Sequence, residues 1–207
     1  MATGIATTTV QTSLHVLMAC VHYFRAVFVN RLQPNNISLA FRELGLQAKA
    51  IFHTRLDQAT FLRGWWLGPV WAPLPSMVLK LGKVITAPRI IARTKDAQLA
   101  IQRVARALAM CYNNIPANYP IVGPFIAMLA RLGKDGPVTA EQAVESWAFK
   151  AKGGAFICPA GVYDSLRERY GITPLDCEEV ERLCESVTSL PVFMSHHVFV
   201  VLMQRDY

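Results

Sequence analysis

Acidic residues are nearly missing from the middle of this 207-residue chain. Residues 61–134 hold ten Lys and Arg against one acid, Asp96. Residues 1–60 carry five basic and two acidic side chains, and residues 135–207 carry six and eleven, so the three segments run +3, +9 and −5 and sum to the net +7. A basic block with a single acid in its middle is the electrostatic footprint of a surface that meets a polyanion. Aspartate is absent altogether from residues 1–56. Paired cysteines are also lacking. Cys20, Cys111, Cys158, Cys177 and Cys184 form no CxxC, and the closest two are seven apart. That spacing argues against a disulfide framework and a zinc site and fits reduced core thiols in a cytosolic compartment. No apolar run is long enough to span a membrane. Leu14 to Val29 covers 16 residues and holds His15, His22 and Arg25, where a span needs roughly 20. Leu67 to Ile85 is broken by three prolines and two lysines. Met1 to Ser13 has no charge and so lacks the basic start of a cleavable signal peptide.

What remains is a chain that can bury a core, with 53% hydrophobic and 17% charged residues. Its local patterns predict an α+β fold in which helix dominates after residue 95. Leu14, Met18, Val21 and Phe24 recur at helical spacing, which predicts a helix to about residue 26, followed by a short strand over 26–30. Asn36 is placed to cap a helix over 37–44, with Gly45 as its left-handed terminator. Residues 47–53 and 60–66 read as strands, and 67–93 as a segment punctuated by Pro and Gly. Asp96 to Asn113 reads as a helix with Leu99, Val104, Leu108 and Cys111 near one face, and Pro120 to Leu132 as a more buried one. Thr139 and Gln142 form a capping-box pattern for a helix to Lys150. A helix over 160–170 is entered by Pro159 and stopped by Gly171, and Thr173-Pro174 opens another with acids in its first turns.

Four stretches carry chemistry. The first is Thr3-Gly4-x3-Thr8-x3-Thr12 running into a helix. Glycine permits close backbone approach, and hydroxyls can read a ribose 2′-OH. The second is Phe41 to Lys49, a helix, a Gly turn and a strand bearing Lys49. A positioned lysine suits proton donation to developing phosphate charge. The third is Phe61-Leu62-Arg63-Gly64-Trp65-Trp66, and the fourth is Pro73 to Lys83, with Lys80 and Lys83. In this order the stretches resemble motifs B, D and E and the start of the thumb in viral RNA-directed RNA polymerases of nodavirus-like or permuted (permutotetravirus-like) type. Tyr170 to Pro174 and the acidic helix after it resemble the end of that thumb. Thr12 stands where the family usually has Asn.

The resemblance implies a partial palm, with a helix and short antiparallel strands, over residues 1–66, and a mostly helical thumb over 67–207. It implies ribose contacts from Thr3, Gly4, Thr8 and Thr12, a general acid at Lys49, and a strand-gripping hairpin at 61–66. Arg63, Lys80, Lys83, Arg89 and Arg93 are the candidates for RNA phosphate contacts. Its partners would be template and product RNA and nucleoside triphosphates. The setting would be the host cytoplasm, including membrane-associated replication sites. The complete enzyme uses Mg2+ or Mn2+ held by aspartates of motifs A and C, and no ligand for either ion is identified in this chain. The slot from Ala26 to Asn36, where motif C usually lies between B and D, holds no acid. The slot barely holds the dozen or so residues that two strands and a tip need. Three explanations stand: a permuted order with motif C before A, a polymerase split over two chains, or a degenerate motif C. The shortened slot favours the first. In every case this chain alone is expected not to polymerise, with the missing front half of the polymerase, on the same or a separate chain, as a partner. The alternative from another class is a non-catalytic helical RNA-binding or replication-accessory protein.

His196 and His197 fall in an apolar run and read as a packed chain-end element, with no acid near them in sequence but Asp206. Asp164, Glu168, Glu178, Glu179 and Glu181 read as solvated helix faces pairing with Arg167, Arg169 and Arg182.

Overall fold

The computed structural model of the chain describes residues 34–43, 45, 47, 53, 55, 58–61, 64–68, 70–86, 96–137 and 157–206. Their order is α1 (Pro34–Glu43), β1 (Thr60–Phe61), β2 (Gly64–Leu67), β3 (Val70–Pro73), α2 (Met77–Ile85), α3 (Ala97–Cys111), α4 (Val122–Leu132), α5 (Val162–Tyr170), α6 (Pro174–Ser186) and α7 (His197–Asp206). This is a mixed α+β fold. The chain forms two compact units, Met1–Thr54 and Arg55–Tyr207, and the sheet belongs to the second.

In the first unit, α1 starts at Pro34, three residues before the expected 37. Proline presets the helical φ and its missing N–H is not needed in the first turn. Gly45 has φ +73°, and its N–H donates to the Arg42 carbonyl at 2.9 Å. The Thr-rich segment over 1–13, the helix to residue 26 and the strand over 26–30 lie outside the described residues. Of the strand expected over 47–53, only Gln47 and His53 are described.

In the second unit the strands form one antiparallel sheet of order β1-β2-β3, with Thr60 opposite Trp65 and Trp66 opposite Trp71. The segment expected to be irregular after residue 67 instead supplies β3 and α2. Pro73 and Pro75 fall at the end of β3 and just before α2, where a missing N–H costs little. Met77, Val78, Leu81 and Ile85 make the buried stripe of α2.

Helix α4 is the hub of this unit and packs against α2, α3 and α6. It buries Val122, Phe125, Ile126, Met128 and Leu129, as its apolar sequence anticipates. The face of α3 is the expected one in part. Val104 and Leu108 pack against the core, but Leu99 is 42% exposed, and the most buried positions are Ala100, Ile101, Ala105 and Ala109. Small alanines let α3 and α4 approach closely, so the contact face is marked by size rather than by the largest apolar residues. The 133–137 turn presses against the same helix. A Cβ on Gly136 would meet the Gln102 backbone at 2.6 Å. The helix expected over 139–150 lies outside the described residues.

Helix α5 ends and α6 begins where their signals stand, while α5 starts at Val162, two residues later than expected, behind Gly161 in a left-handed conformation. Gly171 terminates α5 at φ +72°, a left-handed conformation that glycine adopts without a Cβ penalty. Thr173 caps α6 in a full capping box. Its hydroxyl accepts the Asp176 N–H at 3.3 Å, and its own N–H donates to Asp176 Oδ2 at 2.7 Å. Ser76, at the same position of α2, makes no such bond. Its backbone is already helical (φ −62°, ψ −8°), and its buried hydroxyl has no hydrogen-bond partner.

The two caps therefore respond differently to alanine. Thr173→Ala should cost about 1 kcal/mol, whereas Ser76→Ala should be neutral or slightly stabilising, because it removes a buried hydroxyl that is not satisfied. The hydrogen bond from the Thr173 backbone, then that from its side chain, hold the Asp176 carboxyl below the ordinary carboxylate range. The folded chain thus binds that proton less tightly than the unfolded one. The cap's contribution is present above roughly pH 4 and is lost as pH falls below it. Urea unfolding of both variants at neutral and acid pH checks this.

Candidate nucleic-acid interface

Strand alternation sorts the aromatic residues of the sheet onto two faces. Trp65, Leu67 and Ala72 turn into the core and are buried. Trp66 and Trp71, opposite each other in β2 and β3, turn outward, and Trp71 is 42% exposed. The Trp71 ring lies over Gly64, in space that any side chain at Gly64 would fill. The outer face of the hairpin therefore carries two tryptophans, with the Trp71 ring laid over Gly64.

A buried hydrogen-bond relay fixes this hairpin. The Trp65 Nε1–H donates to the Tyr119 hydroxyl at 3.1 Å, and that hydroxyl donates to the Pro73 carbonyl at 2.7 Å. One side chain from the loop before α4 thus ties β2 to the end of β3. Burial, as the main cause, pushes the Tyr119 hydroxyl well above the ordinary tyrosine range, so it stays protonated and keeps its proton for Pro73. Trp65 also packs edge-on against Tyr170 of α5, with ring centroids 5.9 Å apart.

From β3 the chain runs through buried Leu74, Pro75 and Ser76 directly into α2. Lys80 and Lys83 are both exposed on this helix. At i and i+3 they are surface neighbours, opposite the buried stripe. The structure thus puts the β2–β3 hairpin and the two lysines next to each other in chain order within one unit. Thr3, Gly4, Thr8, Thr12, Lys49, Arg63, Arg89 and Arg93 lie outside the described residues. Trp71 was not singled out from the sequence, although the alternation of Trp66, Leu67 and Val70, Trp71 was its signal.

Part of the basic block works inside the fold. Arg106 Nη1 donates to the carbonyls of Lys134 and Gly136 at 2.9 and 2.7 Å, and Arg103 Nε to that of Pro137 at 3.3 Å. Arg131 Nη2 donates to the carbonyls of Cys184 and Glu185 at 3.0 and 3.2 Å. These arginines pin a turn to α3 and α6 to α4. The charge excess of 61–134 is therefore not all an open face.

The acidic region pairs differently from the short-range expectation. Glu168 forms a two-pronged ion pair with Arg55, with N–O distances of 2.6 and 2.9 Å. Arg169 reaches Asp206 of α7 at 3.6 Å and donates to the Gln58 carbonyl at 3.1 Å. Arg182 turns to the Glu178 carbonyl. Helix neighbours at i and i+4 compete with groups the fold brings closer, and here the fold wins. The histidines also have acidic neighbours that the sequence hides. His196 Nε2 lies 3.1 Å from Glu179, and His197 Nε2 lies 3.1 Å from Asp176. Both carboxylates come from α6. Among the described residues no three His, Cys, Asp or Glu side chains are grouped to hold a metal ion, so no step through a divalent cation is derived from them. Among the same residues no helix is long and apolar enough to cross a membrane. Cys177 and Cys184 are buried, unbridged thiols, each pushed up to about 12 by burial first.

Removing the relay's central hydroxyl tests how the hairpin is held. Tyr119→Phe leaves the Trp65 N–H and the Pro73 carbonyl without partners and should destabilise by roughly 1–3 kcal/mol, read as a lower urea midpoint at unchanged slope.

No protein-family model matches the chain, and neither a curated protein nor a solved structure matches it.

Proposed function

We propose that the chain is the C-terminal palm and thumb portion of a viral RNA-directed RNA polymerase and that it holds template and product RNA during nucleotidyl transfer. One observation carries this reading. The β2–β3 hairpin, whose first strand overlaps the stretch read as strand-gripping over 61–66, carries Trp66 and Trp71 on its outer face, and the next element presents Lys80 and Lys83. An aromatic surface stacks on bases and sugars, and lysines neutralise phosphates, so the pair is a functional unit for RNA.

In this reading Arg63, Arg89 and Arg93 add phosphate contacts, Thr3, Gly4, Thr8 and Thr12 meet the ribose, and Lys49 donates the proton to the leaving pyrophosphate. Mg2+ or Mn2+ belongs to the complete enzyme, on aspartates from the front half of the polymerase. This chain's own contribution is grip and orientation, which convert a bimolecular encounter into a positioned reaction. The accessory-protein alternative keeps the RNA grip and drops the link to a polymerase front half.

Two outcomes follow. Lys80→Ala and Lys83→Ala should each weaken RNA binding by a similar factor for every sequence and lower the slope of log K against log salt by about one. Equal slopes for the variants and the parent chain would remove the lysines from the interface. The purified chain should extend no primed RNA template with Mg2+ or Mn2+, and extension in a standard incorporation assay would contradict the assignment of the aspartates elsewhere.

A further inference from the structure

Beside α2 lies a groove of about 280 Å³. Its walls come from Gly82 and Lys83 of α2, Phe125 and Met128 of α4, and the 190–194 segment. Phe193 stands at its lip and is 92% exposed. The same residue borders a second concavity of about 250 Å³ on the side of α6. Among the described residues lining the first groove, Lys83 is the one charged group. A phenylalanine held almost wholly in water beside an apolar groove marks a contact surface. The volume is below the roughly 300–1,000 Å³ of pockets for drug-sized ligands and suits a single flat ring.

We propose that this groove takes one unpaired base of a single-stranded RNA, stacked on Phe193, with the adjoining phosphate on Lys83. The proposal rests on the RNA-binding reading of the chain and deepens it by assigning a base subsite away from the hairpin. Charge complementarity selects the occupant. A nucleotide offers a π-face and an anion, matching the aromatic ring and the cation that both line the groove. An apolar peptide would cover Lys83 without giving it a partner, at a desolvation cost. The π-face is common to all four bases, so the subsite is tolerant of sequence. Double-stranded RNA keeps its bases stacked within the helix and cannot enter.

Fluorescence anisotropy with the full chain, a short labelled single-stranded RNA and the corresponding duplex tests this. Phe193 packs on little, so its replacement leaves the core intact. Phe193→Ala should weaken single-strand binding about tenfold, with the salt slope and the duplex affinity unchanged. Phe193→Trp should retain the parent affinity. If the parent chain binds no RNA, the underlying reading and this proposal fall together. If Lys80→Ala and Lys83→Ala weaken binding while Phe193→Ala does not, the groove assignment alone is overturned. It is likewise overturned if Phe193→Ala leaves RNA affinity unchanged but alters the oligomeric size, because the groove then seats a second copy of the chain.

Discussion

The hydroxyl of Tyr119 ties the β2–β3 hairpin, already paired by its backbone ladder, to the loop before α4. It accepts from Trp65 on β2 and donates to the last carbonyl of β3, while Trp65 leans on Tyr170 of α5. Three short strands, the longest of four residues, bury too little surface to stand alone. Their position is set by this buried relay and by the helices beneath it. The outward Trp66 and Trp71, and the start of α2 with its two lysines, inherit that position. A buried polar network of this kind costs stability when broken, and it specifies one arrangement when complete.

The signals written in short stretches of sequence were legible. Gly171 ends α5, and Thr173, Pro174 and Asp176 open α6, because caps depend on three or four adjacent residues. The apolar run of α4 announced its burial. Three features were legible only in part or not at all, each for a physical reason. The helix α2 was masked by Pro73, Pro75 and Gly82, which read as breaks although the prolines flank the helix and Gly82 sits within it. The contact face of α3 was legible only through Val104 and Leu108, because its alanines matter through close approach rather than through hydrophobic size. The partners of Glu168, His196 and His197 come from residues distant in sequence, and charge pairing at that range is not written in local spacing. In the candidate site, the basic residues of α2 were legible from the charge imbalance. The outer tryptophan pair was not, since a run such as Trp65-Trp66 does not say which ring faces in until the register is known.

Charge has two roles in this molecule. Arg103, Arg106 and Arg131 satisfy backbone carbonyls and hold a turn and two helices in place. Lys80 and Lys83 are exposed and are presented by a helix whose buried side is Met77, Val78, Leu81 and Ile85. Arginine's planar fork suits the first role and lysine's mobile, hydrated ammonium the second. On the proposed function, RNA would be met by the hairpin, α2 and the groove beside it, and the acidic helices α5 and α6 would serve the fold.

Photocrosslinking of the full chain to RNA, with the attached peptides identified by mass spectrometry, tests that division most directly. The account expects crosslinked peptides from the segment spanning β2, β3 and α2, with Trp66, Trp71, Lys80 and Lys83. Crosslinks confined to the acidic helices α5 and α6, with none on that segment, would contradict it.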